Sequence, residues 1–141
     1  MEWKGSFGRS APPSSGFRDN PSVTSDTRFD PSCLFCRIIR GQIPSTKVFE
    51  DDEFYAFRDI APKAPTHVLV VPKAHLPRLS AASPADAPLL ARLFLTFAKI
   101  AATEKAADFR LVVNNGADAG QSVDHLHLHL LAGRSFGWPP G

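Results

Sequence analysis

The apolar positions of this chain fall into short blocks whose spacing changes from helical to alternating and back. In Cys33-Leu34-Phe35-Cys36-Arg37-Ile38-Ile39-Arg40, residues Leu34, Phe35, Ile38 and Ile39 recur at helical spacing. Ser32 ahead of them is a capping residue type and Gly41 behind them a terminating one, so a short helix with one buried face is predicted. Lys47–Glu50 and Phe54–Arg58 read as two strands of a hairpin around the acidic turn Asp51-Asp52. Pro62 and Pro65 interrupt the chain, and Thr66 to Val71 is a β-branched run ended by Pro72, as in a well-buried strand. Ser83-Pro84-Ala85-Asp86 offers a cap, a first-turn proline and a first-turn acid. Leu89, Leu90, Leu93, Phe94, Phe97 and Ile100 then form one stripe, which predicts a long helix to about Ala107. Phe109 to Asn114 reads as a strand, Gly116 to Gly120 as a turn, and Val123 to Leu131 as the last strand. Helix, three strands, helix, two strands predicts an α+β domain with an antiparallel sheet rather than a doubly wound one.

Composition narrows this picture. Residues 1–32 hold 14 Ser, Gly or Pro with no periodicity, so they bury too little apolar surface to offset the entropy of ordering. They are read as a flexible N-terminal tail, with one domain over 33–141. At 43% hydrophobic and 21% charged residues, a real core is expected. A net charge of +2 without a Lys/Arg run argues against a nucleic-acid polymer as partner, since such binding rests on clustered phosphate contacts. A single nucleotide needs no such patch. No apolar run reaches the roughly 20 residues of a membrane span. The N-terminus lacks an apolar signal core, and Glu2, Asp19, Asp26 and Asp30 are unlike a transit peptide, so a cytoplasmic protein is expected.

All five histidines sit in two stretches, His67 and His75 around one strand and His125, His127 and His129 near the C-terminus. In His125-Leu126-His127-Leu128-His129-Leu130 the alternation is strict, so an extended backbone places the imidazoles on one face and the leucines on the other. Gly116, Gly120, Gln121 and Ser122 precede them in a loop whose backbone can approach a ligand closely. Three readings stand at this point: a solvated face that carries histidines, a metal site, or nucleophilic and acid–base work on a phosphate, which suits a side chain titrating near neutrality.

The surrounding segments resemble the histidine triad (HIT) family, in particular its Hint branch of nucleoside phosphoramidases. They are Phe57-Arg58-Asp59-Ile60-Ala61-Pro62, Ala64-Pro65-Thr66-His67, Val70-Val71-Pro72-Lys73-Ala74-His75, Gly120-Gln121-Ser122-Val123, the histidine ladder and Trp138-Pro139-Pro140-Gly141. The resemblance covers about residues 33 to 141. It implies a HIT-like five-stranded antiparallel sheet with one long and one short helix, and a homodimer through joined sheets in which Arg134, Phe136 and Trp138 tune specificity in trans. It implies hydrolysis of the P–N bond of purine nucleoside phosphoramidates, of AMP or GMP type, through a covalent nucleotidyl-histidine on His127. His129, Gln121 and Ser122 match groups that hold phosphate oxygens, with Ser122 also near the leaving nitrogen, and His67 matches a supporting histidine. Asp59 matches the carboxylate that grips the ribose; its bland alternative is a cap on the proline-rich turn. Phe35, Ile38, Phe57, Ile60 and Leu69 match the walls of the purine slot, or are simply core, and Asn114 matches a polar residue near the phosphate beside Gly120. A nucleotide-binding adaptor with incidental hydrolysis and a dinucleoside polyphosphate hydrolase are the alternatives.

Cys33-x-x-Cys36 alone is a weak signal: two small buried residues on a helix face, or half of a metal site. Some microbial HIT proteins resemble this chain in pairing such cysteines with histidines at the His75 and His125 positions. The resemblance thus implies a closed, structural zinc site of Cys33, Cys36, His75 and His125, and no cofactor for catalysis. An aromatic is usual in the family where Asp124 stands.

Overall fold

The computed structural model describes residues 29–141; the predicted tail lies almost wholly outside them. In chain order the elements are α1 (Leu34–Ile39), β1 (Lys47–Glu50), β2 (Phe54–Arg58), β3 (Thr66–Pro72), α2 (Ala87–Thr103), β4 (Phe109–Val113) and β5 (Leu128–Ala132). The strands form one five-stranded antiparallel sheet in the order β1-β2-β3-β5-β4. This is the predicted α+β fold with one long and one short helix. No described helix is long and apolar enough to cross a membrane.

The period-2 pattern of the central strands divides the core in two. Ala56, Val68, Val70, Leu128, Leu130 and Ala132 face α2 and pack on Leu93, Phe97 and Ile100. Tyr55, Phe57, Leu69 and Val71 point the other way, under α1, and pack on Cys33, Phe35, Cys36 and Ile38. Burying each large apolar side chain contributes on the order of 1.5–3 kcal/mol. Both sheet faces are therefore covered along β3, while on β5 the α1-side face stays partly open at His129 and Leu131.

Four predicted details differ. Ser32 does not cap α1: Cys33 is the N-cap, its sulfur accepting the Cys36 N–H, and Ser32 instead donates from N and Oγ to Asp30. Phe94 is 56% exposed, because it sits about 100° around the helix from Leu93; Thr96 and Ala101 complete the buried stripe instead. Helix α2 ends at Thr103 rather than Ala107, with Lys105 at φ +60 turning the chain out. The last strand begins at Leu128, not Val123. Its ladder with β3 stops at Val70↔Leu128, since Pro72 has no N–H and its carbonyl takes the His125 ring, while the Leu126 N–H goes to the Leu76 carbonyl.

Candidate active site and metal cluster

His125 lies in a bend and His127 and His129 lead into and occupy β5, yet the alternation survives: Leu126, Leu128 and Leu130 enter the α2 core and the imidazoles face the α1 side. The three rings do not share one pocket. His125 turns to the cysteines, while His127 and His129 stand together with ring centroids 5.3 Å apart.

Neighbouring groups fix the tautomers of this second pair. Nδ1 of His127 lies 2.7 Å from the His125 carbonyl oxygen, so it carries the proton and Nε2 holds the lone pair. The amide of Lys63 donates to Nδ1 of His67 at 3.0 Å, leaving the His67 proton on Nε2. That proton is donated to Nδ1 of His129 at 2.9 Å, so His129 carries its own proton on Nε2. No side-chain nitrogen among the described residues is both sealed from solvent and unpartnered. The Nε2 atoms of His127 and His129, which have no protein partner among those residues, therefore reach the solvent side. One presents a lone pair and the other an N–H. Burial is the main force holding both rings below the ordinary histidine pKa, to about 4 for His129, and Asp59 opposes it, so both are neutral at pH 7. Burial likewise lowers His67, against the pull of Asp59.

Asp59 takes the turn-capping role weighed for it and also stands against a histidine of the site. Its Oδ1 accepts the Ala61 N–H at 2.8 Å, capping the turn, while Oδ2 lies 3.4 Å from Nε2 of His67. The predicted slot residues Phe35, Ile38, Phe57 and Leu69 are all buried in the α1-side cluster, and Phe35 stands edge-on to Phe57 and to His127, with centroids at 5.6 and 4.9 Å. Ile60 is apart from them, 98% exposed. Asn114 lies beside Gly120, whose φ of +97 suits glycine. Gln121 is buried and spent on its own loop: Oε1 accepts the Gly116 N–H, and Nε2 donates to the Pro77 and Val123 carbonyls. Its side chain thus shapes the loop, and Ser122 is the exposed polar group beside it. A cavity of about 390 Å³ separates Ser122, Val123 and Asp124 from Asp30 and the start of α1. Asp124 is exposed and pairs with Arg78 at 3.1 Å, outside the leucine face. Sequence reasoning missed Lys63, whose contribution is a backbone amide and leaves no side-chain signature.

Cys33, Cys36, His75 and His125 converge on the other side of Phe35. Nε2 of His125 is 2.8 Å from the Pro72 carbonyl and so carries the proton, aiming the Nδ1 lone pair at the sulfurs. Nδ1 of His125 is 3.1 Å from Nδ1 of His75, 3.4 Å from Cys33 Sγ and 3.6 Å from Cys36 Sγ, and His75 Nδ1 is 3.4 Å from Cys36 Sγ. A tetrahedral zinc has N–N and S–N edges of about 3.3 and 3.5 Å, so the donors fit. Burial holds His125 at about 4, neutral as a ligand must be, and pushes the metal-free Cys36 thiol up to about 11. Asp59, His67 and His129 also bring donors within 4.8 Å of one another. There the Lys63 amide occupies the only lone pair of His67, and the nitrogen facing the others bears hydrogen, so this trio does not suit a cation.

A five-stranded antiparallel sheet with tautomer-fixed histidines at one of its central strands defines an α+β domain with a histidine-centred site. Residues 40–136 match the HIT domain, and the chain belongs to that family. It is 55% identical over 109 residues to an uncharacterized HIT-like protein of Synechocystis sp., covering 77% of this chain and 96% of that protein. It is 46% identical over 126 residues to the adenylylsulfatase HINT1 of Arabidopsis thaliana, covering 87% of this chain and 86% of that one. A HIT family hydrolase from Legionella pneumophila has the same fold with TM-score 0.75 and 48% identity, over 77% of this chain and 99% of the other.

Proposed function

We propose that this protein is a nucleoside phosphoramidase that cleaves the P–N bond of purine nucleoside 5'-phosphoramidates by way of a nucleotidyl-histidine. The observation that carries the reading is the 2.7 Å bond from His127 Nδ1 to the His125 carbonyl, which leaves a neutral, solvent-facing Nε2 lone pair. Nε2 attacks the α-phosphorus, a new P–N bond to the imidazole forms, and the bond to the amine breaks, the amine leaving with a proton taken up from water. Water then cleaves the intermediate and releases the nucleoside monophosphate, so two displacements replace one. The His129 Nε2–H donates to a phosphoryl oxygen as charge builds there, and the exposed Ser122 stands on the leaving-group side. Asp59 takes the ribose hydroxyls, and Phe35 and its apolar neighbours form the base side. Cys33, Cys36, His75 and His125 would hold zinc, and the closed site would pin α1, and with it Phe35, to the sheet.

The name of the 46% identical Arabidopsis relative supports a second reading, in which the same attack expels sulfate from an adenylyl sulfate. Steady-state hydrolysis of a fluorogenic adenosine phosphoramidate and of adenylyl sulfate separates the two, together with mass spectrometry of adducts quenched and digested at alkaline pH, where the P–N bond of a nucleotidyl-histidine survives. A mass increase on the His127 peptide with preferential phosphoramidate turnover is expected. Turnover no faster than in water for both compounds, with nucleotide binding intact, would overturn the reading in favour of a binding protein.

A further inference from the structure

The carboxylate of Asp59 is held on two sides at once. Its backbone N–H bonds to the His67 carbonyl at 3.1 Å and its Oδ1 is anchored by the Ala61 N–H, so Oδ2 has one fixed direction, toward Nε2 of His67 at 3.4 Å. The proton on that nitrogen is donated to Nδ1 of His129 at 2.9 Å, so Asp59 acts on it through its charge. His67 cannot turn the proton away by changing tautomer, because the Lys63 amide fills its Nδ1. One N–H thus runs from His67 to His129 with the Asp59 carboxylate held beside it, and both His67 and Asp59 are fixed by backbone contacts. We propose that Asp59 is a positioning residue that couples ribose recognition to the phosphate-facing histidine. Without ligand, Oδ2 draws on the His67 proton; when the ribose hydroxyls donate to Oδ2, that proton passes wholly to His129 and sets its Nε2–H for the phosphoryl oxygen. The inference rests on the nucleotide reading above and adds that the hydroxyls accelerate the reaction rather than merely bind.

The charged and titratable groups around His67 are Asp59 and Lys63 before β3 and His129 on β5, with His127 edge-on beyond His129. Asp59 is the anion that pulls His67 and His129 toward the charged form, against burial. A carboxylate engaged by hydroxyls pulls less.

The test is imidazole ¹⁵N NMR of the full-length protein, titrated with AMP and with 2',3'-dideoxy-AMP, in wild type and Asp59→Asn. The asparagine retains an oxygen for the Ala61 N–H and removes the charge. In the free protein, Asp59→Asn is expected to shift the His67 titration downward. In wild type, the His67 midpoint is expected to be lower in the AMP complex than in the dideoxy complex, and in the variant the two complexes coincide. With phosphoramidate substrates, removing the hydroxyls is expected to lower kcat about tenfold in wild type, the effect of one well-placed hydrogen bond, and to leave the kcat of the variant unchanged. A dideoxy substrate that raises KM alone, or a His67 signal blind to the ribose while both nucleotides bind, overturns the coupling. Failure of AMP to bind at all would instead overturn the nucleotide reading.

Discussion

The imidazole of His127 donates from Nδ1 to the carbonyl oxygen of His125 at 2.7 Å, while the imidazole of His125 turns the other way, to the two cysteines at 3.4 and 3.6 Å. One residue thus serves two centres, its backbone orienting the proposed nucleophile and its ring completing the candidate metal cluster. Phe35, between Cys33 and Cys36 in sequence, touches both rings, with centroids 6.0 Å from His125 and 4.9 Å from His127. Phe35 thus packs between the cluster and the active face.

Replacing His127 with Ala removes the only solvent-facing imidazole lone pair of the pair. Turnover of an adenosine phosphoramidate is expected to fall by about 10⁴-fold or more, as when a covalent nucleophile is lost. AMP binding, measured by calorimetry, is expected to change little, because the ribose and base contacts lie on other residues. A variant with wild-type turnover would end the nucleophile assignment.

How far the chain could be read in advance follows from what each signal depends on. The hairpin strands Lys47–Glu50 and Phe54–Arg58 were legible because alternation and an acidic turn bound them locally. The leucine–histidine alternation was legible for the same reason, since a period of two survives even the bend at His125. The start of β5 was not, because it is set by the Pro72 carbonyl, 53 residues away, taking the His125 ring. The His67–His129 bond and the Lys63 amide that fixes its polarity were hidden likewise: one spans 62 residues and the other involves no side chain of Lys63. Gln121 reads as a ligand in a glycine-bearing loop and becomes, in three dimensions, the strut of that loop.

The metal cluster makes a quantitative demand. Purified protein is expected to hold about one zinc per chain, and Cys36→Ser to hold none while keeping its secondary structure. At free metal near a thousand times the dissociation constant, binding stabilises the fold by about 4 kcal/mol. A strong chelator is therefore expected to lower Tm by about 15–30 °C in wild type and by nothing in the variant. A melting curve indifferent to chelator, with no metal in the protein, would show that the cysteines are only packing residues.

Gly133 follows β5 at φ +99, and a Cβ there would stand 2.8 Å from Cβ of Pro65, closer than real contacts allow. Gly133→Ala combines left-handed strain with a clash against a ring that has little freedom to move, so a loss of about 2–4 kcal/mol is expected in urea unfolding. Gly41→Ala, at φ +79 with open space around its Cβ position, shares the strain alone and is expected to cost about half as much. Equal losses would locate the effect in backbone strain rather than in the contact with Pro65.

Acid should weaken the fold before its carboxylates titrate. His129 is held at about 4 by burial and by the neighbouring His127 and His67, against an ordinary value of 6.5, and burial lowers His67 as well. Between these limits the unfolded chain binds protons that the folded one refuses, so unfolding gains free energy as pH falls. The stability is fully present above pH 6.5 and drains away as pH approaches 4. For His129 the full shift corresponds to about 3 kcal/mol at 1.36 kcal/mol per unit, less what partial exposure returns to solvent. Urea midpoints recorded at pH 7, 5.5 and 4.5 with chelator present, to silence proton release from metal ligands, are expected to fall steadily. His129→Gln, which keeps a polar group opposite His67 but cannot take up the proton, is expected to flatten that slope. If the midpoint of the wild type holds constant from pH 7 to 4.5, these imidazoles are as free to charge in the fold as in the open chain, and the neutral pair at the active face does not exist.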